Sequence, residues 1–222
     1  MEAFNKQHYN LLKRGAYDLG VVLSEYQLSL LFIFLEGLWS WNKVINLSGI
    51  SGKREMVIRL LLDSLVAIPY LPLNGKLLDI GSGAGIPGLP IKIAKPEFVV
   101  HMLESRAKRV SFLKDIIRKT GLKGIVAYNG RAGKASQLPG MFQFYNIVTA
   151  RALAPLKKTI SICCHYMSSG SLLVTFKGPR VNMEIEESRP LMEQLQLCIS
   201  KKINYSLPET DVKRYLIILE KG

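Results

Sequence analysis

The residues best suited to chemistry form one short run, Asp79-Ile80-Gly81-Ser82-Gly83-Ala84-Gly85, with Glu104 following 25 residues after Asp79. Glycines at 81, 83 and 85 let the backbone approach a ligand that a Cβ would exclude. A carboxylate at 104, closing the next strand, can accept both hydroxyls of a ribose. A nucleoside-type cofactor is therefore expected. The overlapping Gly83-Ala84-Gly85-Ile86-Pro87-Gly88 also matches G-x-G-x-x-G, which seats a dinucleotide pyrophosphate on a helix N-terminus. Two features favour the methyl donor S-adenosylmethionine instead. Asp79 stands where it would repel a pyrophosphate but can face the ammonium of a methionine moiety. Pro87 and Pro90 remove amide donors from the helix start.

The acceptor is narrowed by motifs that are missing. Exocyclic amines of adenine or cytosine are usually held by an Asn/Asp-Pro-Pro-aromatic loop after the fourth strand, and this chain has Thr149-Ala150-Arg151-Ala152 there. Pyrimidine C5 needs a cysteine nucleophile in that loop, whereas Cys163 and Cys164 fall well inside the next helix. A ring nitrogen such as guanine N7 carries an exposed lone pair and no proton, so it needs in-line placement and no general base. That suits a chain whose histidines, His8, His101 and His165, sit within expected helices and a strand.

Basic residues occupy places that stability would not choose. Arg106, Lys108 and Arg109 open the helix after the second strand, where positive charge opposes the helix dipole by about 0.3–1 kcal/mol each. Arg131, Arg151 and Lys177 follow strands three, four and five, so all should converge on one sheet edge and form a phosphate-binding rim.

The elements that must position these groups follow from the hydrophobic pattern. Short apolar runs at 76–80, 99–103, 125–128, 146–149 and 171–176 read as strands, and the stretches 90–95, 107–120 and 155–167 read as helices. This alternation gives a Rossmann-like, doubly wound α/β fold with a mostly parallel sheet. Runs at 197–205 and 212–219 flank a turn and add a hairpin with a reversed strand at one edge, for seven strands in all. Residues 1–70 form a helical extension packed on a core of residues 71–222. In it Tyr26, Leu30, Ile33, Phe34, Leu38 and Trp41 recur at helical spacing, and Ser24 with Gln27 makes a capping box. Residues 42–52 read as a loop, and 53–68 as an amphipathic helix ended by Pro69.

With 222 residues, 48% of them hydrophobic, the chain can bury one substantial core. Thirty Lys and Arg against seventeen Asp and Glu give a formal charge of +13, a field that attracts polyanions and makes RNA the expected partner. The apolar run of residues 28–35 is interrupted by Glu36, short of the roughly 20 residues of a membrane span. No apolar leader stands at the start, and the three cysteines cannot all pair with one another. A cytoplasmic monomer without a metal site is expected.

Together these residues make the chain similar to the ribosomal RNA small subunit methyltransferase G family, also called glucose-inhibited division protein B. The resemblance is carried by Asn46-Leu47-Ser48, residues 59–65, the glycine turn with Ile86-Pro87-Gly88-Leu89-Pro90, residues 104–113, Arg131-Ala132, Thr149-Ala150-Arg151-Ala152-Leu153-Ala154 and Phe176-Lys177-Gly178. It implies S-adenosylmethionine-dependent methylation of guanine N7 in the decoding region of 16S ribosomal RNA, free or in the small subunit. By the same resemblance Gly81, Gly83 and Ile86 line the methionine side and Glu104 the ribose. Ala132 and Gly133 meet the adenine, Arg151 stands at the mouth, and Arg59, Lys108, Arg109 and Lys177 contact RNA. The chain departs from the family at Gly133, where Glu is usual, and at Leu60, where His is usual. Two other classes fit less of the sequence: a small-molecule or protein methyltransferase, and a non-catalytic RNA-binding assembly factor.

Overall fold

The structure, a computed structural model, describes residues 4–133 and 139–222. Its centre is a seven-stranded sheet in the order β3-β2-β1-β4-β5-β7-β6. The strands are β1 Gly75–Ile80, β2 Phe98–Glu104, β3 Ile125–Asn129, β4 Tyr145–Arg151, β5 Met167–Lys177, β6 Leu197–Tyr205 and β7 Arg214–Lys221. β1 to β5 run parallel, and β7 runs antiparallel to both β5 and β6, one place in from the sheet end. Chain order reverses between β1's two neighbours, β2 and β4. The carboxyl end of β1 is therefore the switch point at which such sheets bind ligands.

Strand side chains alternate between two cores. Leu77, Val100, Met102, Ile147 and Val174 face one cluster, while Leu78, Leu103, Val148 and Leu173 face the other. The first cluster is covered by α5 (Gly88–Ala94), α6 (Ala107–Thr120) and the helices of the first seventy residues. The second is covered by α7 (Leu156–Cys163) and α8 (Val181–Gln194).

The extension is locked down at several points. α1 spans Lys6–Asp18 and α2 spans Glu25–Asn42. Ser24 and Gln27 form the reciprocal capping box, and the Gln27 amide also donates to the carbonyls of Ile93 and Ala94 at the end of α5, at 3.0 and 3.2 Å. Leu28, Leu31, Phe34, Leu35 and Leu38 are buried, whereas Tyr26 and Ile33 face outward, so the inward face is rotated from the expected one. α2 lies close on α6: a Cβ at Gly37 would stand 2.3 Å from Ile116 Cδ1. Trp41 Nε1 donates to Asp115 of α6 at 3.0 Å.

The next helix departs most from expectation. It begins as α3 (Lys53–Met56), widens to a π-helical turn over Val57–Leu62, and returns as α4 (Asp63–Leu65). From Met56 to Ile68 every residue except Arg59 is buried, so this is a core helix and not an amphipathic one. Pro69 sits within a 3-10 turn, Ile68–Tyr70, instead of ending a long α-helix. Three other bounds move. The helix expected over 155–167 is α7 plus a 3-10 turn, with Met167 already in β5; β7 begins at Arg214; and α8 was not foreseen. Its buried apolar positions, Val181, Ile185 and Met192, are sparse, and Pro190 lies inside it.

Candidate functional site

The turn after β1 is built from left-handed glycines: φ is +71° at Gly81, +54° at Gly83 and +83° at Gly85. Such angles favour glycine, and a Cβ at Gly85 would collide with Leu89 at 2.4 Å. The amide of Gly81 donates to the Leu103 carbonyl of β2 at 2.8 Å, which ties the turn to the neighbouring strand.

Asp79 is placed beneath this turn and not inside the cleft. It is fully buried; one carboxylate oxygen accepts the Gly88 amide at 3.2 Å and the other the Thr149 hydroxyl at 2.8 Å. Burial pushes its pKa up to about 6, against the pull of those hydrogen bonds. The expectation that it faces a ligand ammonium is thereby corrected: the carboxylate sits against the start of α5. It takes the place at which a dinucleotide pyrophosphate would need helix amides.

Glu104 is buried at the end of β2. One oxygen accepts the Gly83 amide at 2.9 Å, the other the Arg106 amide at 2.8 Å, and Arg109 Nη1 stands 3.9 Å away. A carboxylate has about four acceptor positions, so lone pairs remain for vicinal hydroxyls. Arg109, expected at an RNA-facing rim, lines both a surface cleft shared with Arg106 and Lys108 and the cleft above the glycine turn.

The cleft above the turn, about 320 Å³, is walled by Gly81 to Ala84, Ile86, Arg109, Arg151 and Ala152 on the sheet side. The extension supplies the rest: Leu47 to Ile50, Arg59 and Leu60. Asn42 shapes that loop, its oxygen accepting the amides of Leu47 and Ser48 at 2.7 and 3.1 Å and its nitrogen donating to the Ile50 carbonyl at 3.0 Å. No sequence motif had singled out Asn42. Ala132 and Gly133 follow β3 and do not line this cleft; Gly133, at φ +87°, gives its amide to the Tyr166 hydroxyl at 3.0 Å.

A second cleft of about 480 Å³ adjoins the first and shares Arg59, Arg151 and Ala152 with it. Its walls carry Arg59, Arg151, Lys177, Arg180 and Arg214 against Glu184, an excess of positive charge. Ala152 turns the chain here with φ +51°, a conformation that costs a non-glycine residue about 1–2 kcal/mol. Arg151 is held from behind, Nη2 donating to the Arg59 carbonyl at 2.6 Å and reaching Asp63 at 2.9 Å. Asp63 is fully buried and also accepts Arg214 Nη2 at 2.7 Å and the Tyr205 hydroxyl at 2.6 Å. The sequence alone assigns no role to Asp63, Tyr205, Arg180 or Arg214; the first lies in a recognisable segment, and the others carry no local signature.

The remaining basic residues divide. Lys177 is buried, its ammonium on Glu184 and the Ala154 carbonyl, both at 2.9 Å, so it braces the fold where an RNA contact was expected. Glu184 also accepts the Leu156 amide at 2.7 Å, closing the start of α7. Arg106, Lys108 and Arg131 are exposed, and Arg59 is half exposed beside Glu55. Cys163 and Cys164 are buried, and burial raises both thiol pKa values, which leaves them unreactive. His101 is buried, bonded through Nδ1 to the Tyr145 hydroxyl at 2.8 Å and stacked on Phe142.

The chain is similar to proteins already known. The curated ribosomal RNA small subunit methyltransferase G of Lachnoclostridium phytofermentans is 34% identical over 210 residues, covering 94% of this chain and 87% of that protein. That of Acetivibrio thermocellus is 34% identical over 212 residues, covering 95% and 87%. Among solved structures, the Bacillus subtilis M1A22 tRNA methyltransferase TrmK superposes with a TM-score of 0.57 at 12% identity, covering 74% of this chain and 68% of that one, a likeness of fold alone. The family model GidB, rRNA small subunit methyltransferase G, matches residues 27–211, and the chain belongs to that family.

Proposed function

We propose that this protein transfers the methyl group of S-adenosylmethionine to N7 of a guanine in 16S ribosomal RNA, acting as a single chain in the cytoplasm. The observation that carries the reading is the contiguity of the two clefts: a backbone-lined cleft suited to a nucleoside opens at Arg151 and Ala152 into a cationic one suited to RNA. The donor, when bound, supplies an electrophilic methyl group on a sulfonium.

The chain's own residues supply binding and placement. Glu104 takes the ribose hydroxyls, and Gly81, Gly83 and Ile86 admit the methionine side. Arg151 and Arg59 orient the acceptor where the clefts meet. Ala132 and Gly133 close the adenine end once the Gly133 amide leaves Tyr166. Exposed Arg106, Lys108 and Arg131 meet backbone phosphates, positioning RNA without reading its sequence. Because N7 has a lone pair and no proton, positioning suffices, and none of the three histidines is needed as a base. Residues 71–222 form the transfer domain, to which the extension 1–70 contributes the cleft loop and Arg59.

The test is incubation of the pure protein with labelled donor and, separately, naked 16S RNA, small subunits and total metabolites. Label at guanine N7 of either RNA pool is expected. Label confined to metabolites, or to the protein itself, would overturn the reading.

A further inference from the structure

Asp63 lies in a helix otherwise made for a core, flanked by the buried Leu60, Leu61, Leu62 and Leu65. A carboxylate in that setting is a poor device for stability, since apolar residues of similar volume often serve as well or better than buried ion pairs. Its partners come from far along the chain: Arg151 ends β4, Tyr205 ends β6 and Arg214 begins β7. The Tyr205 hydroxyl donates to Asp63 Oδ1 at 2.6 Å, Arg214 donates through Nε and Nη2 at 2.8 and 2.7 Å, and Arg151 Nη2 stands 2.9 Å from Oδ2.

Two guanidinium groups on one carboxylate leave a surplus positive charge at the shared wall of the clefts. The contacts made by Arg151 among the described residues both use Nη2, to Asp63 and to the Arg59 carbonyl. Its Nη1 and Nε donors therefore remain for a ligand, as does Nη1 of Arg214. The π-helical turn ends immediately before Asp63, and from it the Arg59 carbonyl reaches the same nitrogen of Arg151. Such widened turns are frequent at functional sites. The extension thus grips Arg151 from two successive helical turns.

Resting on the function proposed above, we propose that Asp63 is a positioning residue for methyl transfer, holding the Arg151 guanidinium between the two clefts with its unused donors turned to the acceptor base. It acts through Arg151 and touches neither donor nor RNA.

The test is a set of single-turnover transfers to 16S RNA with Asp63→Asn, Arg151→Gln and the double variant, alongside donor affinity by calorimetry and melting temperature. Asp63→Asn should slow transfer by about 100-fold, the loss expected when a reacting pair is misplaced by about 1 Å. Donor affinity should stay within about threefold. The double variant should be no slower than Arg151→Gln alone, because one residue works through the other. Tyr205→Phe removes a hydrogen bond from the same carboxylate but keeps both ion pairs, and should retain the rate within about threefold. If Asp63→Asn does not fold, Asp63→Glu keeps the charge while shifting the guanidinium, and should be at least about tenfold slow. Wild-type rates in the folded Asp63 variant, or multiplicative losses in the double variant, would overturn the inference. Absence of transfer by the wild-type protein would instead overturn the proposed function.

Discussion

The two clefts share Arg59, Arg151 and Ala152 but are built by opposite means. The floor of the cleft over the glycine turn is a stretch close in sequence, Gly81 to Ala84 with Ile86, and Glu104 is bonded to it from the next strand through the Gly83 amide. The cationic cleft is formed by side chains gathered from β4, β5, β7, α8 and the extension, and held by the buried carboxylate of Asp63 and the partly buried one of Glu184. A pocket whose sheet side is mostly glycine-turn backbone suits one invariant small molecule. A pocket of charges drawn from several elements suits a large polyanion whose shape must be matched over distance.

The sharpest way to break this division is Arg151→Gln. Removing one arm of a buried ion network should destabilise the fold by about 3–5 kcal/mol, and transfer should fall by about 100-fold or more. Donor affinity should hold within about threefold; if calorimetry shows it falling with the rate, Arg151 serves the donor and the division fails.

Asp79 gives the next effect. Its pKa lies at about 6 in the fold against 3.8 ordinarily, so the folded protein holds its proton more tightly. The stability this confers is present below about pH 4 and is lost as pH rises through about 6, roughly 3 kcal/mol in all. Denaturant melts of wild type against Asp79→Asn should show wild type losing ground across that interval and a constant difference above it. A difference that does not vary with pH would mean that Asp79 is solvated in the cleft.

Glu104→Ala should weaken the donor by about 10- to 100-fold, the equivalent of charge-assisted hydrogen bonds at about 1.5–3 kcal/mol, and leave the salt dependence of RNA binding unchanged. Lys177→Met leaves Glu184 without its cation and should lower stability by about 1–3 kcal/mol, again with an unaltered salt slope. A reduced slope would return Lys177 to the RNA surface. The smallest effect is expected of Arg106→Gln with Lys108→Gln, which should lower the salt slope of RNA binding by about 2 and spare donor affinity.

The difference between the clefts also explains what the sequence made legible. β1, the glycine turn, Glu104 and α6 can be read because their meaning is local: strand, bend, strand and helix follow one another between Gly75 and Thr120. Asp79 was visible as a residue but misread as a ligand contact, because spacing does not tell whether a carboxylate points above a turn or beneath it. Lys177 is visible as a charge at a strand end, yet Glu184 turns it inward. Asp63 joins Tyr205 and Arg214 across 142 and 151 residues, and no periodicity carries such a pairing. The same holds for α8, whose helical pattern is blurred by Pro190.

The most direct measurement is calorimetric titration of the pure protein with S-adenosylmethionine, its demethylated product and a nicotinamide dinucleotide. Saturable one-to-one binding of the first two, lost in Glu104→Ala, is the expected result. Binding of the dinucleotide with none of the methyl donor or its product would contradict the assignment of the glycine turn, and with it the function built upon that turn.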